Sequence, residues 1–382
     1  MRRWHDMKDR KPLHIVHTEA SQGWGGQEIR ILTEAQGMIE RGHRVTLLTP
    51  PGARIFQAAR ERGIPVEAMP FEKKAFKGVL AMRRWLRNNA CDIINTHSST
   101  DSWLVALAQI ASARRVPVVR TRHISAPVST AWMTRWLYAS ASDHVVTTGE
   151  RLRVALEERL ALPPSHATSI PTGIDLSRFS RAAAKPGDTA RSALGIPADA
   201  LVIGIAATLR SWKGHDHLLE AFTGLAGKFP SAHLLIVGDG PRREHLMERI
   251  AATGLAEKIH LIGHREDIPD VLAAMDLFAL PSYANEGVPQ AIMQAMAMEL
   301  PVVSTTVGSI DEAVEDGITG YLIEPRNALQ LDEKLTMFLG DEALRRQMGK
   351  AGRDRAQSRF SLDAMLDAME KVFYQALRTH SA

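Results

Sequence analysis

Cysteine is all but missing. Cys91 is the one cysteine among 382 residues, so the chain has no intramolecular disulfide framework and no Cys-based zinc cluster. No apolar run approaches the ~20 residues that a spanning helix needs, which excludes a chain crossing a bilayer by its own helices. The start, Met1-Arg2-Arg3-Trp4-His5-Asp6-Met7-Lys8, is basic but is followed by no apolar signal core, and a cytoplasmic protein is expected. Short repeats and low-complexity segments are lacking as well. What remains is ordinary globular composition, 45% hydrophobic and 24% charged, which excludes dominant disorder. The length exceeds one compact core and suits two domains of roughly 150–190 residues.

The net charge of +4 conceals an asymmetry: residues 1–180 hold 26 Lys+Arg against 16 Asp+Glu, and the remainder 21 against 27. Six of the seven tryptophans also lie before residue 180. A basic, Trp-bearing half points to an anionic partner: a phospholipid surface, a phosphorylated lipid or nucleic acid. A solvated charged face over core tryptophans is the plainer alternative.

Short β-rich runs alternate with amphipathic helical runs along the chain, the pattern of parallel sheets covered by helices. Strand runs fall at Leu13–Thr18, Arg44–Thr49, Pro65–Met69, Asp92–Thr96, Pro117–Arg120, His144–Thr148 and Ala167–Ile170. After a pause they resume at Leu201–Ala206, Ala232–Val237, Ile259–Ile262, Leu277–Leu280, Pro301–Ser304 and Gly320–Ile323. This divides the chain into a domain over 1–175, a linker and start of the second domain over 176–198, a second domain over 199–358, and a C-terminal helix over 359–382. Both domains read as α/β, doubly wound, with ligands expected outside the carboxyl ends of the strands.

Several strand ends carry chemistry. After the first strand, Ser21-Gln22-Gly23-Trp24-Gly25-Gly26-Gln27-Glu28 leads into a helix, and paired glycines at a helix start let backbone N–H groups approach an anion. The G-x-G-x-x-G spacing is missing, and no acidic residue closes the second strand, so a dinucleotide site is not indicated. In Leu209-Arg210-Ser211-Trp212-Lys213-Gly214 two cations three residues apart precede a helix, where an anion is their natural complement. Val237-Gly238-Asp239-Gly240-Pro241 is a further strand–turn–helix element. Pro281-Ser282-Tyr283-Ala284-Asn285-Glu286-Gly287-Val288-Pro289-Gln290 puts Glu286 at a helix start, with Gln294 two turns along the same face. No metal-ligand cluster and no Asp-x-Asp pair occurs, and no metal is expected.

In order and spacing these segments resemble the retaining, nucleotide-sugar-dependent glycosyltransferases of family 4. The resemblance covers nearly the whole chain and includes Pro171-Thr172-Gly173-Ile174-Asp175, similar to the family's hinge entry, and Gly317-Ile318-Thr319-Gly320-Tyr321-Leu322-Ile323. It implies a GT-B fold, two Rossmann-like domains facing an interdomain cleft, with the last helix crossing back to the first domain. It implies a nucleotide-sugar donor, a UDP- or GDP-sugar, held by Gly25, Gly26, Arg210, Lys213, Gly287, Val288 and Gln294. Glu286 would hold the donor sugar. His123, in Val118-Val119-Arg120-Thr121-Arg122-His123, would lie near the scissile bond, and His97 would touch the acceptor. The family's second Glu is Gln294 here, which still hydrogen-bonds a ribose hydroxyl, without a carboxylate's charge.

The expected reaction is sugar transfer to a glycan or lipid-linked acceptor, in lipopolysaccharide or exopolysaccharide synthesis, with no nucleic acid partner. Clustered Arg and Trp in residues 83–87 and 132–138 fit peripheral contact with the inner membrane face. Two rivals are a nucleotide-sugar epimerase or hydrolase on the same fold, and a non-catalytic nucleotide-sugar binding module.

Overall fold

The computed structural model describes residues 11–110, 112, 115–124, 126–163, 165–284 and 286–381; the basic start at 1–8 lies outside them. The chain forms two units. The first takes the chain to His123, then Pro127–Ile170 and Leu366 onward, and the second takes Pro171–Met365.

In the first unit seven strands form one parallel sheet: β1 (His14–Thr18), β2 (Arg44–Thr49), β3 (Val66–Ala68), β4 (Ile93–Thr96), β5 (Val118–Arg122), β6 (His144–Thr147) and β7 (Ala167–Ser169). Six helices alternate with them: α1 (Gly26–Glu40), α2 (Arg54–Glu61), α3 (Phe76–Asn88), α4 (Ser99–Gln109), α5 (Trp132–Ala139) and α6 (Glu150–Leu160). The spatial order β3-β2-β1-β4-β5-β6-β7 reverses direction between β1 and β4. Parallel strands covered on both faces read as apolar runs, yet β1 buries His14, His17 and Thr18. Polar groups sealed in a central strand need partners, and they mark this strand end as more than core.

The second unit opens with α7 (Gly187–Ala193). Its parallel sheet holds β8 (Leu201–Ala206), β9 (Ala232–Val237), β10 (Ile259–Leu261), β11 (Leu277–Leu280), β12 (Val302–Thr305) and β13 (Gly320–Ile323). The helices are α8 (His215–Leu225), α9 (Arg243–Ala252), α10 (Ile268–Ala273), α11 (Gln290–Ala297), α12 (Ile310–Ala313), α13 (Ala328–Gly340), α14 (Glu342–Arg359) and α15 (Leu362–Ser381). The order β10-β9-β8-β11-β12-β13 places this sheet's switch point between β8 and β11. Here the strands are uniformly apolar: Leu277, Phe278, Ala279 and Leu280 of β11 are fully buried.

Residues 176–198, read as linker and start of the second domain, pack with the second unit: Phe179, Ala184 and Ile196 enter its core, and Arg191 pairs with Asp276 at 2.8 Å. Helix α15 begins in the second unit, and from Leu366 onward it belongs to the first. There Met369 and Phe373 are fully buried, and Gly37 of α1 leaves room for Leu366, whose methyl groups a Cβ would overlap. Arg41 reaches Asp367 and Glu370 at 2.7 and 2.8 Å, and His43 Nε2 lies 2.7 Å from Glu370. Among the described residues, no helix is long and apolar enough to cross a membrane.

Candidate functional site

In the second unit the loops leaving β8 and β11 meet at the switch point. Tyr283 N–H donates to the Trp212 carbonyl at 2.8 Å, joining the two loops through their backbones. Lys213 Nζ then stands 2.6 Å from Glu286 Oε1, which also accepts the Ser282 hydroxyl at 2.6 Å. The Glu286 side chain is 5% exposed and that of Lys213 21%, so the pair is screened from bulk water and its charges act strongly. Two glycines permit this approach. Gly308, just beyond β12, has φ +62°, and a Cβ there would overlap the Glu286 carbonyl oxygen. Gly214 has φ +80°, and a Cβ would overlap the Pro281 carbonyl; only glycine takes such positions without strain.

Of the predicted residues, Lys213 and Glu286 are brought into contact here, and two expectations are corrected. Arg210 and Lys213 do not sit on the helix start: a 3₁₀ turn spans Ser211–Lys213, and α8 begins at His215 after left-handed Gly214. Arg210 is exposed, its guanidinium 5.4 Å from the Trp212 ring centroid. Nor does Glu286 start a helix. α11 begins at Gln290 after Pro289 in extended conformation, so Glu286 lies on the preceding loop and shares no helix face with Gln294. Gln294 is half-buried in the second turn of α11, Val288 is buried, and Gly287 is half-buried on the loop. The Val237-Gly238-Asp239-Gly240 turn supports the β8 loop: Leu209 N–H donates to the Asp239 carbonyl at 3.0 Å.

At the first unit's switch point, sequence reasoning found two histidines and missed the rest of their set. His17 Nδ1 lies 2.9 Å from His97 Nε2, and His97 Nδ1 lies 2.9 Å from His123 Nε2. Burial pushes His17 down to about 3. Burial first, then neighbouring positive charge, holds His97 and His123 well below the usual histidine range. All three rings are therefore neutral near pH 7, and each has one donor and one acceptor nitrogen. His17 Nε2 is buried with no partner among the described residues, and an orphaned lone pair is less costly than an orphaned N–H. The two contacts link the three rings into one hydrogen-bonded row that ends at His123, with the direction set by the tautomers.

Beside this row, Glu19 follows β1 and is fully buried. Its carboxylate accepts Ser21 N–H at 2.6 Å and the Gln27 amide, so it shapes the loop that carries Gly25 and Gly26. Gly25 is the extended cap of α1, and Gly26 is its first residue. Burial first, and then Asp101, raise the Glu19 pKa. Asp101 caps α4: it accepts Ser98 N–H at 2.8 Å, His97 N–H at 2.9 Å and the Thr18 hydroxyl at 2.6 Å. The visible signal for these residues was His and Thr inside strand-like runs, where apolar residues are the rule.

Among the described residues, no group of three or more His, Cys, Asp or Glu side chains is arranged to hold a metal ion. Residues 187–355 match the family described as Glycosyl transferases group 1, and residues 24–178 match Glycosyltransferase Family 4. A relative from Corynebacterium diphtheriae named D-inositol 3-phosphate glycosyltransferase is 26% identical, over 92% of this chain and 90% of its own. A glycosyltransferase structure from Rickettsia africae superposes with a TM-score of 0.86 at 22% identity, covering 96% of this chain and 99% of that one. Anabaena HepE, solved in complex with UDP, superposes with a TM-score of 0.81 at 22% identity, covering 95% of this chain and 100% of its own.

Proposed function

The chain belongs to the glycosyltransferases, group 1 in its second half and family 4 in its first, and on that premise we propose a retaining transfer from a nucleoside diphosphate sugar to a hydroxyl of a glycan or lipid-linked acceptor. The observation that carries this reading is the Lys213–Glu286 pair, 2.6 Å apart beside Arg210 at the second unit's switch point. A diphosphate draws Lys213 and Arg210 onto its oxygens by charge-assisted hydrogen bonds. The Glu286 carboxylate, relieved of Lys213, then accepts from hydroxyls of the donor sugar, and Gln294 serves the ribose.

In the reaction the bond from the anomeric carbon to the diphosphate oxygen breaks, with its electrons leaving on the diphosphate. The acceptor oxygen bonds to that carbon on the same face, and its proton passes to the departing phosphate. Arg210 and Lys213 stabilise the leaving charge, and no metal is required in this scheme. His123, at the end of the histidine row, orients a sugar oxygen through its ring. Of the expected UDP- or GDP-sugar donors, UDP in the Anabaena neighbour favours a uridine diphosphate sugar. The basic first half favours an acceptor at an anionic membrane face, as in lipopolysaccharide or exopolysaccharide assembly.

The test compares UDP and GDP with their nucleosides by calorimetry. Lys213→Ala and Arg210→Ala are expected to weaken diphosphate binding about tenfold or more, and nucleoside binding little, since each removes a charged hydrogen bond. Equal loss for both ligands defeats the phosphate role. Turnover is expected to persist in excess chelator; abolition that Mg²⁺ or Mn²⁺ reverses defeats the metal-free scheme.

A further inference from the structure

His17 has no part in the reaction above, yet it anchors the histidine row. It is fully buried, His97 is 4% exposed and His123 is half-buried, so the row runs outward from the core of the first unit. In both pairs the ring centroids lie 5.2 Å apart, with planes 18° and 31° apart. Rings whose facing nitrogens are 2.9 Å apart reach that separation only edge to edge, so each nitrogen meets the next in its own ring plane. The middle residue is fixed by its backbone: His97 N–H donates to the Thr18 carbonyl at 3.2 Å and to Asp101 at 2.9 Å.

A neutral imidazole carries one N–H, and each contact needs one N–H and one bare nitrogen. His97 spends one nitrogen on each contact. With its proton on Nδ1, its bare Nε2 requires Nδ1–H on His17, and His123 must offer a bare Nε2 and carry its own proton on Nδ1. With the His97 proton on Nε2, the other two protons sit on Nε2 as well. The three tautomers are therefore one variable with two values, all δ or all ε. The two states differ at the buried end. His17 Nε2 is sealed with no partner among the described residues; it is an orphaned N–H in the all-ε state and only a bare nitrogen in the all-δ state. The orphaned donor is the costlier of the two.

We propose that His17 is a positioning residue for the transfer: acting through His97, it holds His123 in the Nδ1–H form, so that His123 meets the sugar as a hydrogen-bond donor. The hold on the tautomer stands on the row alone, and its bearing on the sugar rests on the transferase reading.

NMR of the imidazole nitrogens in the full chain near neutral pH, with His123 assigned by its loss in His123→Gln, reads the tautomer directly. The wild type is expected to show His123 protonated at Nδ1 and bare at Nε2. His17→Leu removes the donor and is expected to let the His123 proton redistribute, drawing its two nitrogen shifts together. His17→Asn returns an amide N–H near the place of Nδ1 and is expected to restore the wild-type pattern. A wild-type His123 protonated at Nε2, or an unchanged pattern in His17→Leu, overturns the proposal. Should His17→Leu fail to fold by circular dichroism, the wild-type and His17→Asn spectra decide, Nδ1–H in both supporting the hold and Nε2–H in either overturning it. UDP release from UDP-glucose by the same samples carries the sugar claim. Its kcat is expected to fall about tenfold in His17→Leu with KM little changed, and to recover in His17→Asn. Equal loss in the two variants, with the wild-type tautomer kept in His17→Asn, leaves His17 a structural role and overturns its part in the transfer. Full turnover in His123→Gln removes His123 from the sugar and leaves the tautomer linkage standing. An absence of UDP release by the wild type counts against the transferase reading, and the spectra still decide the linkage.

Discussion

At the scale of single residues, the most consequential choice is to bury three imidazoles in a row. Their folded pKa values lie below the ordinary 6.5, so between that value and the folded one the unfolded chain holds more protons than the native one. Stability therefore rises with pH across that window and is lost as pH falls below about 6.5. For His17 the window extends down to about 3. Each such histidine accounts for up to about 2 kcal/mol between pH 6.5 and 5. Urea unfolding at about pH 7 and pH 5 is expected to show this loss. His17→Gln, which cannot charge, is expected to show a smaller difference between the two; the same difference in variant and wild type would mean that His17 is already protonated when folded. A second residue-scale constraint is Gly308, whose missing Cβ makes space for the Glu286 backbone. Gly308→Ala is expected to lower turnover at least tenfold by displacing the Glu286 loop, with nucleotide affinity measured alongside. Full activity in that variant would show that the loop relaxes without cost.

At the scale of elements, Glu370 of α15 meets two first-unit side chains at once, His43 and Arg41. Burial alone would raise the Glu370 pKa, but hydrogen bonds from His43 and Arg41 outweigh it and hold the group low. A depressed carboxylate stabilises the fold above its unfolded pKa and ceases to as pH falls through the folded one. Glu370→Gln is expected to cost about 1–3 kcal/mol near neutral pH and progressively less in acid, where the wild type loses the same contacts. A constant difference across pH in thermal melts would rule out an ionic clasp. Element identity was open to sequence reasoning because parallel strands such as Leu277–Leu280 are buried on both faces and stand out as short apolar runs. Where helices begin was less open. Val288 precedes Pro289, and a residue before proline is turned away from helical conformation, so a helix starting at Glu286 was excluded by a signal that periodicity does not carry. The Lys213–Glu286 contact joins residues 73 apart, and neither loop alone predicts it. Arg120 and His17 stayed hidden for another reason: in a strand, a buried polar side chain has the same local pattern as an exposed one. Phe179, Ala184 and Ile196 follow no regular spacing, which is why their segment read as linker.

At the scale of the whole molecule, charge is divided between the halves of the chain, 26 Lys+Arg to 16 Asp+Glu before residue 181 and 21 to 27 after it. The tryptophans do not follow that division to the surface. Trp85 is buried, with its indole N–H donating to Glu67 at 2.9 Å, and Trp136 packs against Trp103. What α3 exposes is a mixed stripe, Phe76 and Leu80 among Lys77, Arg83, Arg84 and Arg87, and α5 exposes Trp132 at 77%. Each cation near an anionic surface contributes about 1 kcal/mol, and burial of one large apolar side chain about 1.5–3 kcal/mol. With the four cations of α3 and Phe76, reversible docking that salt weakens is the outcome to test. Co-sedimentation with phosphatidylglycerol-containing vesicles at low salt is expected, with little binding to phosphatidylcholine alone. Changing Arg83, Arg84 and Arg87 to Glu is expected to abolish it, and Phe76→Ser to weaken it without removing its salt dependence. The first effect reports the charge and the second the inserted ring, so their combination separates docking by a stripe from diffuse attraction to a basic half. Binding that survives the charge reversal, or that is equal on both lipids, would move the acceptor off the membrane and into solution.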